Sequence, residues 1–540
     1  MTRDGLRHVI SGTLDEMTAR PLTEKAGRRA WRAAAIFLAV AAAIALTARG
    51  PGLTMDEPLY IGRALNYTEW FQGLSARNFT WPVIREHWGY EDHPPLGSLW
   101  IALNMRLFGG AVDLLTAARI GAALLFGVAA AAIFLWIASK RGEREGLVAA
   151  AVFVLMPRLF AHGHFANIEM ATLLLWLLTV IAFERGIERR GWSVACGALF
   201  GLALLTKINA VFLPVLLLPW GLLFHGRKAL RNIAAMALCG PLIFLIGWPV
   251  MWYHPAAALH AYLADKAQRM IIPVYYLGTA YRDRVAPWHY PFVMLLATTP
   301  LPVLVALTAG AWRYVRTLRA KWSESAHEAL VVWGFLFPVC LLALPGVPKY
   351  DGIRLMLPAY PFLAALAAAG AVAAWDSLGR GRRWAGAACA AVLAAWLLLP
   401  VVAFHPYQLC YYGELAGGPW GAAKLGFETT YWDDTFDSKA LDYLNKEVPP
   451  DGKVAFVAVP DYIWQFYQGL GEARRDIRMG DFGDRDWDYL VVVPRRGYWL
   501  TDAERAFINS PPQPAWANTL WPGGTPVCLI YERRTIDERR

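Results

Sequence analysis

The chain has 540 residues, of which 57% are hydrophobic and 17% charged, with six cysteines and a formal net charge of +10. Soluble domains carry about 25% charged residues, so the deficit excludes an ordinary soluble enzyme and points to a bilayer. The basic excess is not a nucleic-acid footprint, because it lies in short loops between apolar runs, where it sets membrane orientation.

Residues 1–30 are polar, lack the pattern of a cleavable signal peptide, and are expected to form a cytoplasmic tail. The first apolar run begins near Trp31. A helix crosses the hydrocarbon core with about 20 apolar residues, and packed bundles accept about 17. Eleven spans are predicted on that basis, at about 31–49, 114–138, 146–161, 169–184, 192–206, 208–224, 233–252, 289–312, 329–345, 355–375 and 385–404. Segment 95–108 is short, with Asn104 and Arg106 near its end, and is read as an interfacial helix.

With the tail inside, every inward loop is short and basic: Lys140/Arg141/Arg144, Arg185/Arg189/Arg190, Arg227/Lys228/Arg231, Arg313/Arg316/Arg319/Lys321 and Arg380/Arg382/Arg383. The parity predicts a polytopic α-helical protein of a cytoplasmic (inner) membrane, with its N-terminus inside and its C-terminus outside. Residues 31–404 would form the membrane domain, including an external loop over 50–113. Residues 405–540 would form an extracytoplasmic α/β domain, because β-rich runs at Lys453–Val459, Tyr489–Val493 and Pro526–Tyr531 alternate with polar helical stretches. Four cysteines lie inside apolar runs, while Cys410 and Cys528 lie in the polar region and are available for one disulfide in an oxidising compartment.

Most chemically unusual residues fall on the external side. Asp56 and Glu57 follow the first span directly; paired carboxylates raise one another's pKa and suit a general base, while Asp-Glu-Pro is equally a good helix start. His93 precedes Pro94 and Pro95, which fix its backbone. His162, His164, Asn167 and Glu169 crowd one turn, as a divalent-metal site or as a hydrogen-bonded polar turn. Glu169 heads a membrane helix and Lys207 sits between two apolar helices, positions where an ionisable group needs a function or a partner. Arg282, Arg284, Lys349 and Arg354 are external cations that want a negative partner: phosphate, a neighbouring Asp283 or Asp351, or lipid headgroups.

Several of these elements occur in an order that resembles the GT-C superfamily of polyprenyl-phosphate-sugar glycosyltransferases. The nearest branch is that of the dolichyl-phosphate-mannose–protein mannosyltransferases and their bacterial relatives, including the lipid A aminoarabinose transferases. The elements are Asp56-Glu57 with Tyr60 downstream, His93-Pro94-Pro95-Leu96, Leu107-Phe108-Gly109, Arg119, an acid after the third span, Gly201–Lys207 and Arg354–Pro361. They cover roughly residues 31–375.

The resemblance implies an inverting transfer of a monosaccharide from a polyprenyl-phosphate donor to an acceptor hydroxyl. Asp56 maps onto the family's base, with Glu57 beside it. Arg354, Lys207, Arg282, Arg284 and Lys349, in that order, are the implied phosphate ligands; His93, Tyr60 and Glu169 would shape the substrate side. No cofactor is implied, and a protein, a lipid or a polysaccharide all fit as acceptor. The chain departs from the family in offering Asn167 and Glu169 where members carry Asp, and in lacking a lumenal sugar-binding insert. Thr429–Asp434 weakly resembles the Trp-Trp-Asp-Tyr-Gly element of oligosaccharyltransferases.

Two other readings compete. A transporter or flippase would show paired halves and charges near the bilayer midplane, and neither pattern is evident here. An O-antigen ligase or oligosaccharyltransferase would use a similar lipid donor but move a whole glycan.

Overall fold

The structure, a computed structural model, describes residues 3–89, 93–378, 383–499, 501–509, 511–520 and 523–537. Asp92, Arg380 and Arg382, and the first two residues of the tail, lie outside them. The first helix runs unbroken over Arg3–Leu46, so the polar tail and the first apolar run share one helix.

Six helices are long and apolar enough to cross a membrane: Lys25–Leu46, Leu114–Arg141, Ile208–His225, Lys228–Gly247, Ala326–Ala343 and Arg354–Leu378. These are the spans of an integral membrane protein. A seventh is added if Tyr290–Thr298 and Leu301–Ala320, bent by 120° at their junction, count as one. Pro300 and Pro302 sit at that junction, and neither supplies the N–H that would continue the ladder.

Helices also stand at the other predicted spans, but length and composition alone do not carry them to eleven. Glu143–Val154 and Pro157–His162 divide one predicted span, and Arg190–Leu204 has only 15 residues. Glu169–Gly186 carries Glu169, Glu184 and Arg185, and the last span lies within Arg383–Ala403. Segment 95–108 is a 13-residue helix, Leu96–Phe108.

Close packing of the bundle rests on small residues. A Cβ at Gly310 would lie 1.8 Å from the Leu366 carbonyl oxygen, and one at Gly370 would lie 2.0 Å from that of Ala306. The helices Leu301–Ala320 and Tyr360–Leu378 therefore meet backbone to backbone, where only glycine fits.

The C-terminal region holds a five-stranded sheet. A hairpin precedes it in the chain, with strands β1 (Pro273–Tyr276) and β2 (Thr279–Arg282). The sheet strands are β3 (Lys453–Val457), β4 (Arg478–Met479), β5 (Tyr489–Val492), β6 (Trp516–Leu520) and β7 (Thr525–Glu532), ordered β4-β3-β5-β7-β6. β3 pairs in parallel with both β4 and β5; β7 runs antiparallel to β5 and β6. A parallel pair needs a crossover, and the helix Asp461–Leu470 supplies it, burying Ile463 and Trp464 with Val454, Val491 and Ile530.

Cys410 and Cys528, available in the sequence for one disulfide, are both buried and free. Cys410 packs with Tyr407, Leu520 and Val527, whereas Cys528 faces the opposite cluster around Trp464.

Candidate active site

Neighbouring acids in the chain, Asp56 and Glu57 do different things. Glu57 is fully buried and takes both prongs of Arg119, Nε to Oε1 and Nη2 to Oε2, each at 2.7 Å. Arg119 gives its remaining donors to the carbonyls of Ala48 (2.7 Å), Pro51 (2.9 Å) and Gly52 (2.8 Å). Glu57 also accepts from the backbone N–H groups of Thr54 (3.0 Å) and Ala166 (2.9 Å). A buried ion pair holds only when its polar atoms are met, and here they are. The pair ties the loop after the first span to the helix Leu114–Arg141.

Asp56 heads the helix Glu57–Phe71 without capping it through its side chain. Its carboxylate turns away from Glu57 and accepts from Nη2 of Arg354.

Arg354 opens the turn Arg354–Ala359, which leads into the helix Tyr360–Leu378. It faces three carboxylates: Asp56, Glu169 through Nε at 2.8 Å, and Asp351 through Nη1 at 3.0 Å. Its guanidinium lies over the Trp432 ring, 4.4 Å from the centroid. Glu169 also accepts from Lys207 Nζ at 2.9 and 3.0 Å. Four helix starts separate in sequence, at Asp56, Glu169, Lys207 and Arg354, thus deliver one alternating chain of charges.

This chain of charges borders a cavity of about 530 Å³. Its wall carries five basic side chains, Arg63, Lys207, Lys266, Arg269 and Arg354, against two acids, Asp56 and Asp351. Such a wall favours an anion. One side is apolar, built from Phe212, Pro338, Leu341, Leu342, Leu355 and Pro358 of the spanning helices. Tyr60 and His93 also line the cavity, their rings stacked 6.3 Å apart. Burial, with Lys207 nearby, holds His93 well below the usual imidazole range, so it is neutral at pH 7.

Of the predicted residues, Asp56, Tyr60, His93, Lys207 and Arg354 come together at the cavity, with Glu169 directly behind. The others do not join them. Glu57 is held by Arg119. Arg282 and Arg284 are exposed, and Arg284 donates to the Ala267 carbonyl at 2.8 Å. Lys349 is buried against the carbonyls of Leu344 (3.1 Å) and Val347 (2.9 Å).

The polar turn of the sequence is hydrogen-bonded within the fold. His162 Nε2 meets the Tyr431 hydroxyl at 3.2 Å, His164 Nε2 meets the Thr47 hydroxyl at 2.9 Å, and Asn167 Oδ1 accepts from the Glu169 N–H at 2.8 Å. Among the described residues no three His, Cys, Asp or Glu side chains are grouped to hold a metal ion.

The C-terminal region closes the back of the site, which the sequence did not foretell. The Met55 N–H donates to the Trp432 carbonyl (3.2 Å) and the Gly52 N–H to that of Asp434 (2.8 Å). A Cβ at Gly52 would lie 2.2 Å from the Phe436 carbonyl oxygen, so only glycine permits this approach. Tyr462 and Tyr498 extend into the cavity wall.

A family model described as dolichyl-phosphate-mannose-protein mannosyltransferase matches residues 92–253. That stretch includes His93, Glu169 and Lys207; Asp56 and Arg354 reach the same site from outside it. Among solved structures, the chain is similar to ArnT from Cupriavidus metallidurans bound to undecaprenyl phosphate, at 15% identity and TM-score 0.53, covering 92% of this chain and 97% of that one. The chain shares the fold of that ArnT. The apo state of the same ArnT matches at 15% identity and TM-score 0.52, again covering 92% and 97%. The oligosaccharyltransferase AglB from Archaeoglobus fulgidus aligns at 10% identity and TM-score 0.47, covering 86% of this chain and 69% of that one. No curated protein matches the chain. The matched family model and the shared fold agree with the resemblance drawn from the ordered motifs.

Proposed function

We propose that this protein is a membrane glycosyltransferase that moves a monosaccharide from a polyprenyl-phosphate donor to an acceptor hydroxyl at the extracytoplasmic face. The observation that carries this reading is the placement of Asp56 in a cavity wall where five basic side chains stand against two acids, continuous with an apolar groove of spanning helices. An anionic head and a polyisoprenoid tail need those two surfaces side by side.

In the reaction, the acceptor oxygen attacks the anomeric carbon on the face opposite the phosphate and gives its proton to the Asp56 carboxylate. The bond from the anomeric carbon to the phosphate oxygen breaks, its electron pair leaving with polyprenyl phosphate. A single displacement inverts the anomeric centre. Charge growing on the phosphate is met by fixed cations in a water-poor site. On this reading Arg354, Arg63, Lys207, Lys266 and Arg269 share the phosphate, with Arg354, Lys207 and Arg269 held by carboxylates of the fold. The neutral His93 ring and Tyr60 shape the sugar side. The N-terminus lies inside and the C-terminal sheet outside, as the basic inward loops require. Residues 31–404 form the catalytic membrane domain, residues 1–30 its cytoplasmic tail and residues 405–540 its external companion.

Purified protein in detergent, given a radiolabelled polyprenyl-phosphate monosaccharide, tests the reading. Release of polyprenyl phosphate with sugar transfer, abolished in Asp56→Asn, supports it; no turnover across a panel of such donors overturns it.

A further inference from the structure

Arg495 follows strand β5 in the C-terminal region, far in sequence from the membrane helices. Its side chain is 1% exposed. Nη1 faces Asp433 Oδ2 at 3.3 Å and the Met55 sulfur at 3.4 Å; Nη2 faces Asp351 Oδ1 at 3.5 Å. The guanidinium lies over the Tyr498 ring at 3.9 Å. Asp351 therefore stands between two guanidinium groups, with Oδ1 toward Arg495 and Oδ2 toward Arg354. Its backbone is left-handed (φ +52°), and so is that of Gly352 (φ +60°). A non-glycine residue in that region is costly and persists only where its surroundings fix it.

We infer that Arg495 is a positioning residue for the transfer: it fixes Asp351, which sets the plane of Arg354 and so aims Arg354 at Asp56. The inference rests on the glycosyl-transfer reading for the role of Asp56. Three features of the geometry support it. Asp351 is nearly fully buried and bridges the two guanidinium groups, so it cannot relax into solvent when one is lost. Arg354 has one face against the Trp432 ring and its edges against Asp56, Glu169 and Asp351, so beside that ring Asp351 is its ionic link to the C-terminal region. Met55, beside the base, touches Arg495 directly. Asp56 shares the cavity wall with Arg354, Arg63, Lys207, Lys266, Arg269, His93, Asp351, Tyr60, Tyr350, Tyr462 and Tyr498, with Glu169, Asp433 and Arg495 behind them. Removing Arg495 takes one positive charge from behind this wall, which makes a carboxylate there harder to ionise.

The test compares Arg495→Gln and Arg495→Lys in the full chain. Both are expected to keep the donor KM within about twofold, while Arg495→Gln loses kcat on the order of 100-fold, as a misaimed catalytic group does. In Arg495→Gln the acid limb of the pH–rate profile moves to higher pH; Arg495→Lys restores its position but only part of kcat. A wild-type pH profile with nothing but less folded protein overturns the inference, and so does a Lys variant no better than Gln. An infrared titration of the carboxylate band that Asp56→Asn removes reads the same shift without turnover. If wild-type protein turns over no lipid-linked sugar, the proposed function falls, and the infrared shift alone then decides the positioning role.

Discussion

Glu57 and Arg119 form a two-pronged ion pair, 2.7 Å on each side, with both side chains at 0% exposure. The pair is structural, and it takes Glu57 out of the cavity, whose wall Asp56 shares with Asp351. Breaking one side of a buried pair strands the other charge and costs about 3–5 kcal/mol. Glu57→Ala is expected to lower thermal stability in detergent by that scale, with a matching fall in folded yield. Asp56→Ala, measured alongside, loses far less.

Asp56→Asn keeps the shape and removes the proton acceptor. Turnover is expected to fall about 10²- to 10⁴-fold, the range supplied by a positioned general base. Binding of polyprenyl phosphate, followed by quenching of tryptophan fluorescence, stays near the wild-type affinity. A variant that turns over at half the wild-type rate removes Asp56 from the mechanism.

Arg354→Ala behaves differently from what the sequence alone leads one to expect. A phosphate ligand at an accessible wall is replaceable without harm to folding. Arg354 instead neutralises Asp351 and Glu169 from within the fold. Loss of turnover is therefore accompanied by destabilisation of about 3–5 kcal/mol. Differential scanning calorimetry in detergent separates the two effects.

Arg63→Gln and Lys266→Gln probe the cavity's basic wall. Each is expected to weaken polyprenyl-phosphate binding about tenfold, the worth of roughly one charge-assisted hydrogen bond. Isothermal titration with a short-chain polyprenyl phosphate reads this directly, and an unchanged affinity removes that residue from the headgroup site.

Asp434 carries a pH signature. Both its carboxylate oxygens are buried without a partner, and burial, reinforced by Asp433 next to it, pushes its pKa from 3.8 to about 8. The folded state keeps a proton that the unfolded chain gives up above pH 3.8. Its contribution to stability is thus full below that pH and is lost as pH rises toward about 8. Asp434→Asn is expected to raise the melting temperature, by an amount that grows from pH 5 to pH 8. A gain that is flat with pH contradicts the assignment.

The apolar runs and the ordered external motifs were legible because both are local: a run long enough to span and a charge that needs a reason. Asp56, Lys207 and Arg354 were found that way. Lys349 and Arg284 carried the same signal, an external cation, but backbone carbonyls satisfy them, and a loop's own folding is invisible in its composition. Arg495, Trp432 and Asp351 gave no sign of their joint role, because their proximity is set by tertiary pairing between 52–55 and 432–434. The faint motif Thr429–Asp434 was the nearest signal, and its part in the structure is to close the rear of the site.

The backbone bonds from Gly52 and Met55 to Asp434 and Trp432 join the first external loop to a segment the ribosome makes after the last membrane helix. Every span can be inserted while this pairing is still impossible. Asp56 therefore reaches its final setting only after residues 432–434 have been made and have folded back onto the first loop. A chain that ends at residue 404 lacks the partners of Gly52 and Met55, and on the proposed reading of the site it is expected to be inactive.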